Sequence, residues 1–302
     1  YPFSSDGIKV AVALSKDLEK ITERHLVTPF NAKAMTLFPE RINGKIVVLF
    51  SYHTDSPPAK MVFATLDKIE ELWSPVFWRK WEQNINDHTI NLRRSPYDHV
   101  EVGAPPVKTK YGWLVIYSHI QNYFNFNGAE KIFGIEGLLL DFKDPKKIIG
   151  RTDGPILVPE ESYELSGYVP NVIFPTGALV QKNTLTIYYG AADTTVCSAQ
   201  VNLSDFIFSI HPKYKDRFNF KRFSKNPIIL SKIENKWEAR ATFNPGAIFL
   251  NGKTHIMYRA MSEDNTSSFG YAMTKDGTDI IERLSAPIYV PREDFENKKG
   301  NN

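Results

Sequence analysis

Carboxylates, amides and cations recur at matching points of one repeated phrase in this 302-residue chain. Glu40, Glu101 with Lys108, Asn171 and Asn244 fall in or beside the first strand of the phrase, while His53 with Asp55, His119, Asp193, and Arg259 with Asp264 follow its second strand. Such a mixture suits a polyhydroxylated ligand. A sugar hydroxyl is both donor and acceptor, and one ionised carboxylate can accept from two of them. Taken singly, each residue reads as a solvated loop or turn former. Taken together they favour a carbohydrate pocket.

Other chemistries lack their residues. His53, His88, His99 and His119 are scattered, with no His-x-x-x-His or Cys/His pair at zinc spacing. Tyr189-Gly190-Ala191-Ala192-Asp193-Thr194 has too few glycines for a phosphate loop, and no serine nucleophile elbow is present. Chemistry by carboxylates, with an anion pocket of Arg and Lys, is what remains. Neither a metal nor an organic cofactor is expected.

The elements that must position these groups are read from the repeat. An apolar residue and a proline, a few strand-like residues, a Gly or Asn turn and a second strand ending in an aromatic occur four times, with Pro39, Pro106, Pro175 and Pro245 spaced 67, 69 and 70 residues apart. A second phrase, a strand followed by a turn built on Asp, occurs five times: Val10 to Ala13 with Asp17, Met61 to Ala64 with Asp67, Ile135 to Leu140 with Asp144, Val196 to Ala199 with Asp205, and Phe269 to Ala272 with Asp276. Two strands from each phrase make a four-stranded antiparallel sheet, the blade of a β-propeller. The expected fold is therefore all-β, a single five-bladed propeller domain over residues 1–302 with one blade incomplete. Asp6 to Pro29 supplies only that blade's outer two strands, and the termini are expected to meet there. Polar residues at the ends of inner strands would then share one central channel. An open inner edge needs a cover, which a symmetry mate, a terminus or a partner could supply, so a homo-oligomer through the incomplete blade is one expectation.

Composition fits a folded domain of this size, with 42% hydrophobic and 13% aromatic residues. The formal charge of +3, with Lys and Glu interspersed, gives neither a nucleic-acid footprint nor a polybasic membrane patch. Cys197 is the lone cysteine and reads as a small buried hydrophobe, which suits a reducing compartment. No apolar run of 18 residues occurs and Tyr1 to Val10 lacks signal-peptide character, so cytoplasm is expected. The tail from Glu293 to Asn302 is expected to fray. Glu70 to Asn84 suits a short amphipathic helix covering a blade; Trp73, Trp78 and Trp81 offer the alternative of a platform for sugar rings.

Leu37-Phe38-Pro39-Glu40, Pro105-Pro106-Val107-Lys108-Thr109, Gly112-Trp113-Leu114-Val115-Ile116-Tyr117, Leu138-Leu139-Leu140-Asp141, Val158-Pro159-Glu160, Tyr188 to Thr194, and Phe243-Asn244-Pro245 with Tyr258-Arg259-Ala260 resemble family 130 of the glycoside hydrolases. The resemblance implies a five-bladed propeller acting on β-mannosides by inverting phosphorolysis or hydrolysis, with a mannose-containing oligosaccharide as partner and inorganic phosphate as possible co-substrate. The order is rotated: residues 1–210 resemble the family's later part and 221–300 its amino-terminal part. Members carry a Glu-Asp-Pro-Arg phrase whose Asp is the proton donor, and it does not occur here.

Asn244, Arg259, Asp193 and Asp264 are the residues expected at the sugar. Lys108 and Arg259 match the family's basic positions for phosphate. His53 and His119 stand in phrases, Ser51-Tyr52-His53 and Tyr117-Ser118-His119, where the family has phosphate-binding groups. Glu40, Glu101 and Asp193 are the candidate catalytic carboxylates. Without the proton donor, a carbohydrate-binding or purely structural propeller is the alternative to an enzyme.

Overall fold

The computed structural model describes residues 3–4, 7–17, 19–54, 58–210, 221–293 and 296; Asp6, Leu18, Asp55 and most of the tail beyond Glu293 lie outside them. β1 (Phe3–Ser4) pairs with β2 (Gly7–Ile8), and β3 (Ala11–Ser15) with β4 (Ile21–Leu26). Four larger antiparallel sheets follow in chain order. Blade I comprises β5 (Ala32–Leu37), β6 (Ile46–Tyr52), β7 (Lys60–Leu66) and β8 (Thr89–Ile90), with helix α1 (Pro75–Glu82) before the last strand. Blade II comprises β9 (His99–Val102), β10 (Val107–Thr109), β11 (Gly112–Gln121), β12 (Ile132–Leu140) and β13 (Ile148–Arg151), β9 and β10 sharing one edge of β11. After α2 (Ser162–Leu165), blade III comprises β14 (Ile173–Gln181), β15 (Thr184–Ala191), β16 (Thr195–Asn202) and, beyond α3 (Leu203–Ile210), β17 (Lys221–Arg222). Blade IV comprises β18 (Ala241–Leu250), β19 (Lys253–Met261), β20 (Ser267–Thr274) and β21 (Ile280–Arg283).

The chain is thus all-β in its core and propeller-like, with four blades present where five, one of them incomplete, are expected. The copy counted first from the sequence is the two-stranded β3–β4 sheet. A second correction falls at Asp205. The expected turn is instead the start of α3, whose Leu203, Phe206, Ile207 and Ile210 follow the helical period and are all buried.

Neighbouring sheets pack face to face because alternate residues of each strand point to opposite sides. In β11, Val115 joins Leu49 and Phe63 of blade I, whereas Ile116 joins Ile187 and Tyr189 of blade III. In β15, Tyr189 faces blade II and Tyr188 packs with Ile256 and Tyr258 of blade IV. Val10 and Val27, flanking β3 and β4, pack with Phe50 and Val62 of blade I. Helix α1 is capped by the Ser74 hydroxyl, has Pro75 at its first position, and closes that cluster. Trp78 and Trp81 are buried, and their indole N–H groups donate to the carbonyls of Leu72 at 2.7 Å and Phe63 at 2.9 Å. Trp73 stacks on His25 at 3.9 Å. These tryptophans are therefore core and covering residues, and no sugar platform is left for Trp78 or Trp81 to form.

Blades II, III and IV are each closed by a buried tyrosine, a buried glutamate and a partly buried arginine. The hydroxyl of Tyr117 donates to Glu136 at 2.5 Å, that of Tyr189 to Glu164 at 2.8 Å, and that of Tyr258 to Glu238 at 2.9 Å. Arg151, Arg222 and Arg283 complete the three sets from the outermost strands. All three carboxylates are fully buried, so hydrogen-bonded pairing is what makes their charge tolerable.

Each inner strand breaks register at a matched place: Lys33/Thr36 in β5, the gap between β9 and β10, Pro175/Gly177 in β14 and Phe243/Gly246 in β18. Proline cannot donate to a ladder, which explains Pro105, Pro106, Pro175 and Pro245 at these bulges. In blade I the break falls at Ala34 and Met35, ahead of Pro39.

Candidate functional site

The inner strands crowd together where they break. A Cβ on Gly103 would come within 2.8 Å of the Pro175 ring, the Thr176 hydroxyl donates to the Pro245 carbonyl, and the amide of Thr242 donates to the Thr194 carbonyl at 3.0 Å. Blades I and II are tied by the Val102 amide, which donates to the Ser51 hydroxyl at 2.9 Å. At this junction Lys33 of β5 lies 2.7 Å from Glu101 of β9, and His99 holds the other Glu101 oxygen at 2.8 Å.

Blades III and IV contribute the remaining charges. Ala192 and Asp193 both adopt left-handed backbone, with φ of 48° and 49°, and turn the chain sharply after β15. Arg259 of β19 donates from Nε to the Ser267 hydroxyl at 2.9 Å, and its guanidinium lies 4.8 Å from the centre of the Phe243 ring. Asp193 feels the charges of both Arg259 and Lys33, and Arg259 also feels Tyr168. Asn244, in left-handed backbone at the β18 bulge, passes beside Gly190, where an added Cβ would approach its amide nitrogen to 3.3 Å. One charged residue from each of four blades, Lys33, Glu101, Asp193 and Arg259, therefore belongs to a single electrostatic cluster.

Its carboxylates are set differently. Burial alone would raise the Glu101 carboxyl, but the His99 hydrogen bond and Lys33 bring it below the usual range, so it stays ionised. Burial raises Asp193, and Arg259 and Lys33 offset this only in part. Arg259 is itself lowered by burial, with Asp193 and Tyr168 favouring its charge. An ionised carboxylate, a carboxyl that keeps its proton to higher pH, two cations and an amide can hold hydroxyl groups and an anion together.

The other expected residues have different surroundings. Glu40 and Lys108 pair with each other at 2.5 Å, each about half exposed, and Lys108 also lies 5.8 Å from the Trp113 ring. His119 has no exposed surface; it lies between Asp98 at 3.2 Å from Nε2 and Glu136 at 3.1 Å from Nδ1. His53 sits in left-handed backbone, donates its amide to Asn31 at 2.9 Å and stacks on Tyr52 at 4.0 Å. Asp264 is a turn residue, accepting from the Thr266 amide at 3.0 Å and the Ser262 hydroxyl. Asn171 is an exposed residue in left-handed backbone. Among the described residues no group of three His, Cys, Asp or Glu side chains is placed to hold a metal, and no helix is long and apolar enough to cross a membrane.

Lys33, His99 and Tyr168 were not expected at the site. Lys33 carried one usable signal, a lone cation between alanines in an inner strand. Alignment on Pro39 hid it, because the break in blade I precedes that proline.

Residues 4–209 match the family model Glyco_hydro_130, described as beta-1,4-mannooligosaccharide phosphorylase. A 1,2-beta-oligomannan phosphorylase of Thermoanaerobacter sp. (strain X514) is 33% identical over 67% of this chain and 62% of its own length. A beta-1,2-mannobiose phosphorylase of Listeria innocua serovar 6a is 30% identical over 70% of this chain and 56% of its own. The chain thus spans less than two thirds of the length of these curated relatives. A solved thermostable family-43 glycoside hydrolase, 13% identical, covers 89% of this chain and 80% of its own with a TM-score of 0.55, a likeness of fold alone.

Proposed function

This chain belongs to glycoside hydrolase family 130, and we propose that it carries the sugar- and phosphate-holding part of an enzyme that cleaves β-mannosides by inverting phosphorolysis. The observation that carries this reading is the contact of Lys33 with Glu101 together with the charge influence of Lys33 and Arg259 on Asp193, which links residues of four blades.

Inversion in one displacement needs a nucleophile on one face of the sugar ring and a proton for the leaving oxygen on the other. Lys33 and Arg259 are the cations suited to hold phosphate by charge-assisted hydrogen bonds. Glu101, kept ionised, fixes Lys33. Asp193 and Asn244 accept from and donate to the sugar hydroxyls. In this reading β3–β4 is the outer half of a fifth blade, and residues 221–293 occupy the place of the family's amino-terminal section. The partners are a mannose-containing oligosaccharide and inorganic phosphate, and the buried thiol of Cys197 suits action in the cytoplasm.

The Glu-Asp-Pro-Arg phrase is absent from the 302 residues, so residues 1–302 alone should turn over about 10² to 10⁴ more slowly than an enzyme with its general acid. The test is incubation with β-1,2-mannobiose and β-1,4-mannooligosaccharides, with and without phosphate. Slow formation of mannose 1-phosphate that requires phosphate is expected. Release of free mannose regardless of phosphate would make the reaction a hydrolysis. Failure of both sugar and phosphate to bind would overturn the reading.

A further inference from the structure

His99 holds Glu101 with one ring nitrogen only. Its Nε2 lies 2.8 Å from Oε1 of Glu101, whose other oxygen lies 2.7 Å from Lys33. Because an ionised carboxylate can only accept, Nε2 carries the proton of this bond. Nδ1 is buried with no hydrogen-bond partner among the described residues. A histidine that acts through one nitrogen is commonly oriented by a hydrogen bond on the other. Here the ring, 2% exposed, is instead aimed by what packs against it.

Those contacts come from one loop. Residues 122–131 join β11 to β12, as the turn holding Asp193 joins β15 to β16, so both follow the second strand of their blades. Tyr123 stacks on His99 at 4.7 Å with ring planes 24° apart, and Phe124 meets the same imidazole edge-on at 5.7 Å and 89°. The two aromatic rings pack on each other at 4.9 Å. Tyr123 is flanked in turn by Phe133 at 6.5 Å and by the Lys131 ammonium, 4.7 Å from its ring centre.

The loop backbone is tied in place. Asn122 adopts left-handed backbone with φ of 58°, and its side-chain amide donates to the Glu130 carbonyl at 3.1 Å, closing the base. The amide of Asn125 donates to the Asn122 carbonyl at 3.0 Å. The amide of Phe124 donates to the Tyr97 carbonyl at 2.9 Å, two residues before His99 itself. Tyr123 and the histidine it covers are thus anchored to each other through both ring and backbone. Phe126, further along the loop, is 88% exposed and makes none of these contacts.

We propose that Tyr123 is a positioning residue: by stacking on His99 it aims Nε2 at Glu101, and through Glu101 it fixes Lys33 where the site holds its anion. An imidazole free to swing would lose Glu101 and leave Lys33 on an unbraced partner. That the anion is phosphate rests on the function proposed above; the coupling of Tyr123 to Glu101 does not.

The test compares Tyr123→Ala, Tyr123→Phe and Phe126→Ala with the unaltered chain. Carbon NMR follows the Glu101 carboxyl, and calorimetry follows inorganic phosphate and, separately, β-1,2-mannobiose. In Tyr123→Ala the Glu101 carboxyl should titrate at higher pH, since the His99 hydrogen bond is one of the interactions that lower it. Phosphate affinity should fall at least about fivefold, within the range by which residues of one network couple, with mannobiose affinity unchanged. Tyr123→Phe, which keeps the flat ring, and Phe126→Ala should both behave as the unaltered chain. Should Tyr123→Ala fail to fold, Tyr123→Leu, which keeps bulk without a flat ring, replaces it with the same expectations. An unchanged Glu101 titration, or a phosphate loss shared by Tyr123→Phe, by Phe126→Ala or by the sugar, would overturn the proposal. Absence of phosphate binding to the unaltered chain would overturn the functional reading, and the Glu101 titration would still decide whether Tyr123 aims His99.

Discussion

Lys33 and Glu101 stand 2.7 Å apart across the junction of blades I and II, each just ahead of the break in its inner strand. An ammonium has three donors, and Glu101 takes one of them. The pair thus fixes a cation at the shared opening at the cost of burying one carboxylate, which His99 helps to keep ionised.

Replacing Lys33 with Met should raise both the Glu101 and Asp193 carboxyls, since Lys33 favours the ionised form of each. Phosphate affinity should fall at least about tenfold, the loss of one charge-assisted hydrogen bond worth about 1.5 to 3 kcal/mol. Carbon NMR titration of the carboxyls and calorimetry with phosphate measure the two effects. Unchanged carboxyl titrations would separate Lys33 from the cluster.

Glu136 gives the acid limit of the fold. Burial opposes its charge, but His119, Arg94 and Tyr117 bring its carboxyl from 4.5 down to about 2. A depressed carboxyl contributes stability that is present above the unfolded value and lost as pH falls through the folded one. Melting temperature should therefore drop between about pH 4.5 and 2. Glu136→Gln should cost about 3 to 5 kcal/mol at neutral pH, as removal of one partner from a buried pair does, and should flatten that acid limb. An acid limb as steep as in the unaltered protein would assign it to other groups.

His119 and Lys108 separate scaffold from site. His119→Gln, between two carboxylates with no exposed surface, should lower the melting temperature and leave phosphate affinity unchanged. Lys108→Ala removes a half-exposed pair, which is worth about 0 to 1 kcal/mol, and should change neither stability nor binding appreciably. A loss of phosphate affinity in either variant, with the melt preserved, would return that residue to the binding site.

Gly270 tests the packing of the tyrosine sets. A Cβ there would come within 2.2 Å of the Tyr258 ring, so Gly270→Ala should destabilise by about 1 to 3 kcal/mol, the usual effect of overpacking a core. A melt unchanged from the wild type would show that the ring can give way.

The repeat was legible because each blade must bury two faces, and the near-continuous apolar run of strands such as Gly112–Gln121, buried along almost its whole length, records that requirement in the sequence. The short helix near Glu70 to Asn84 could also be read, from apolar spacing. Two things could not. The bulge in blade I depends on strand pairing, so aligning prolines put Pro39 in register and left Lys33 unnoticed. The phrase-end residues look alike in sequence whether they feel charges from other blades, as Asp193 does, form a turn, as Asp264 does, or are buried between carboxylates of their own blade, as His119 is between Asp98 and Glu136. Glu101 was visible as a carboxylate, but its ionised setting comes from the His99 hydrogen bond and from Lys33, 68 residues earlier in the chain.

The most direct test of the central claim is calorimetric titration of β-1,2-mannobiose, in the presence of phosphate, into the unaltered chain and Asp193→Ala, beside thermal melts of both. Asp193 can accept hydrogen bonds from two sugar hydroxyls, each worth roughly 1.5 to 3 kcal/mol for a charged acceptor. The account predicts binding weakened at least about tenfold, equivalent to 1.4 kcal/mol, with the melting temperature preserved. Unchanged binding with a collapsed melting temperature would contradict it, making Asp193 a structural turn residue and removing the four-blade cluster as the sugar site.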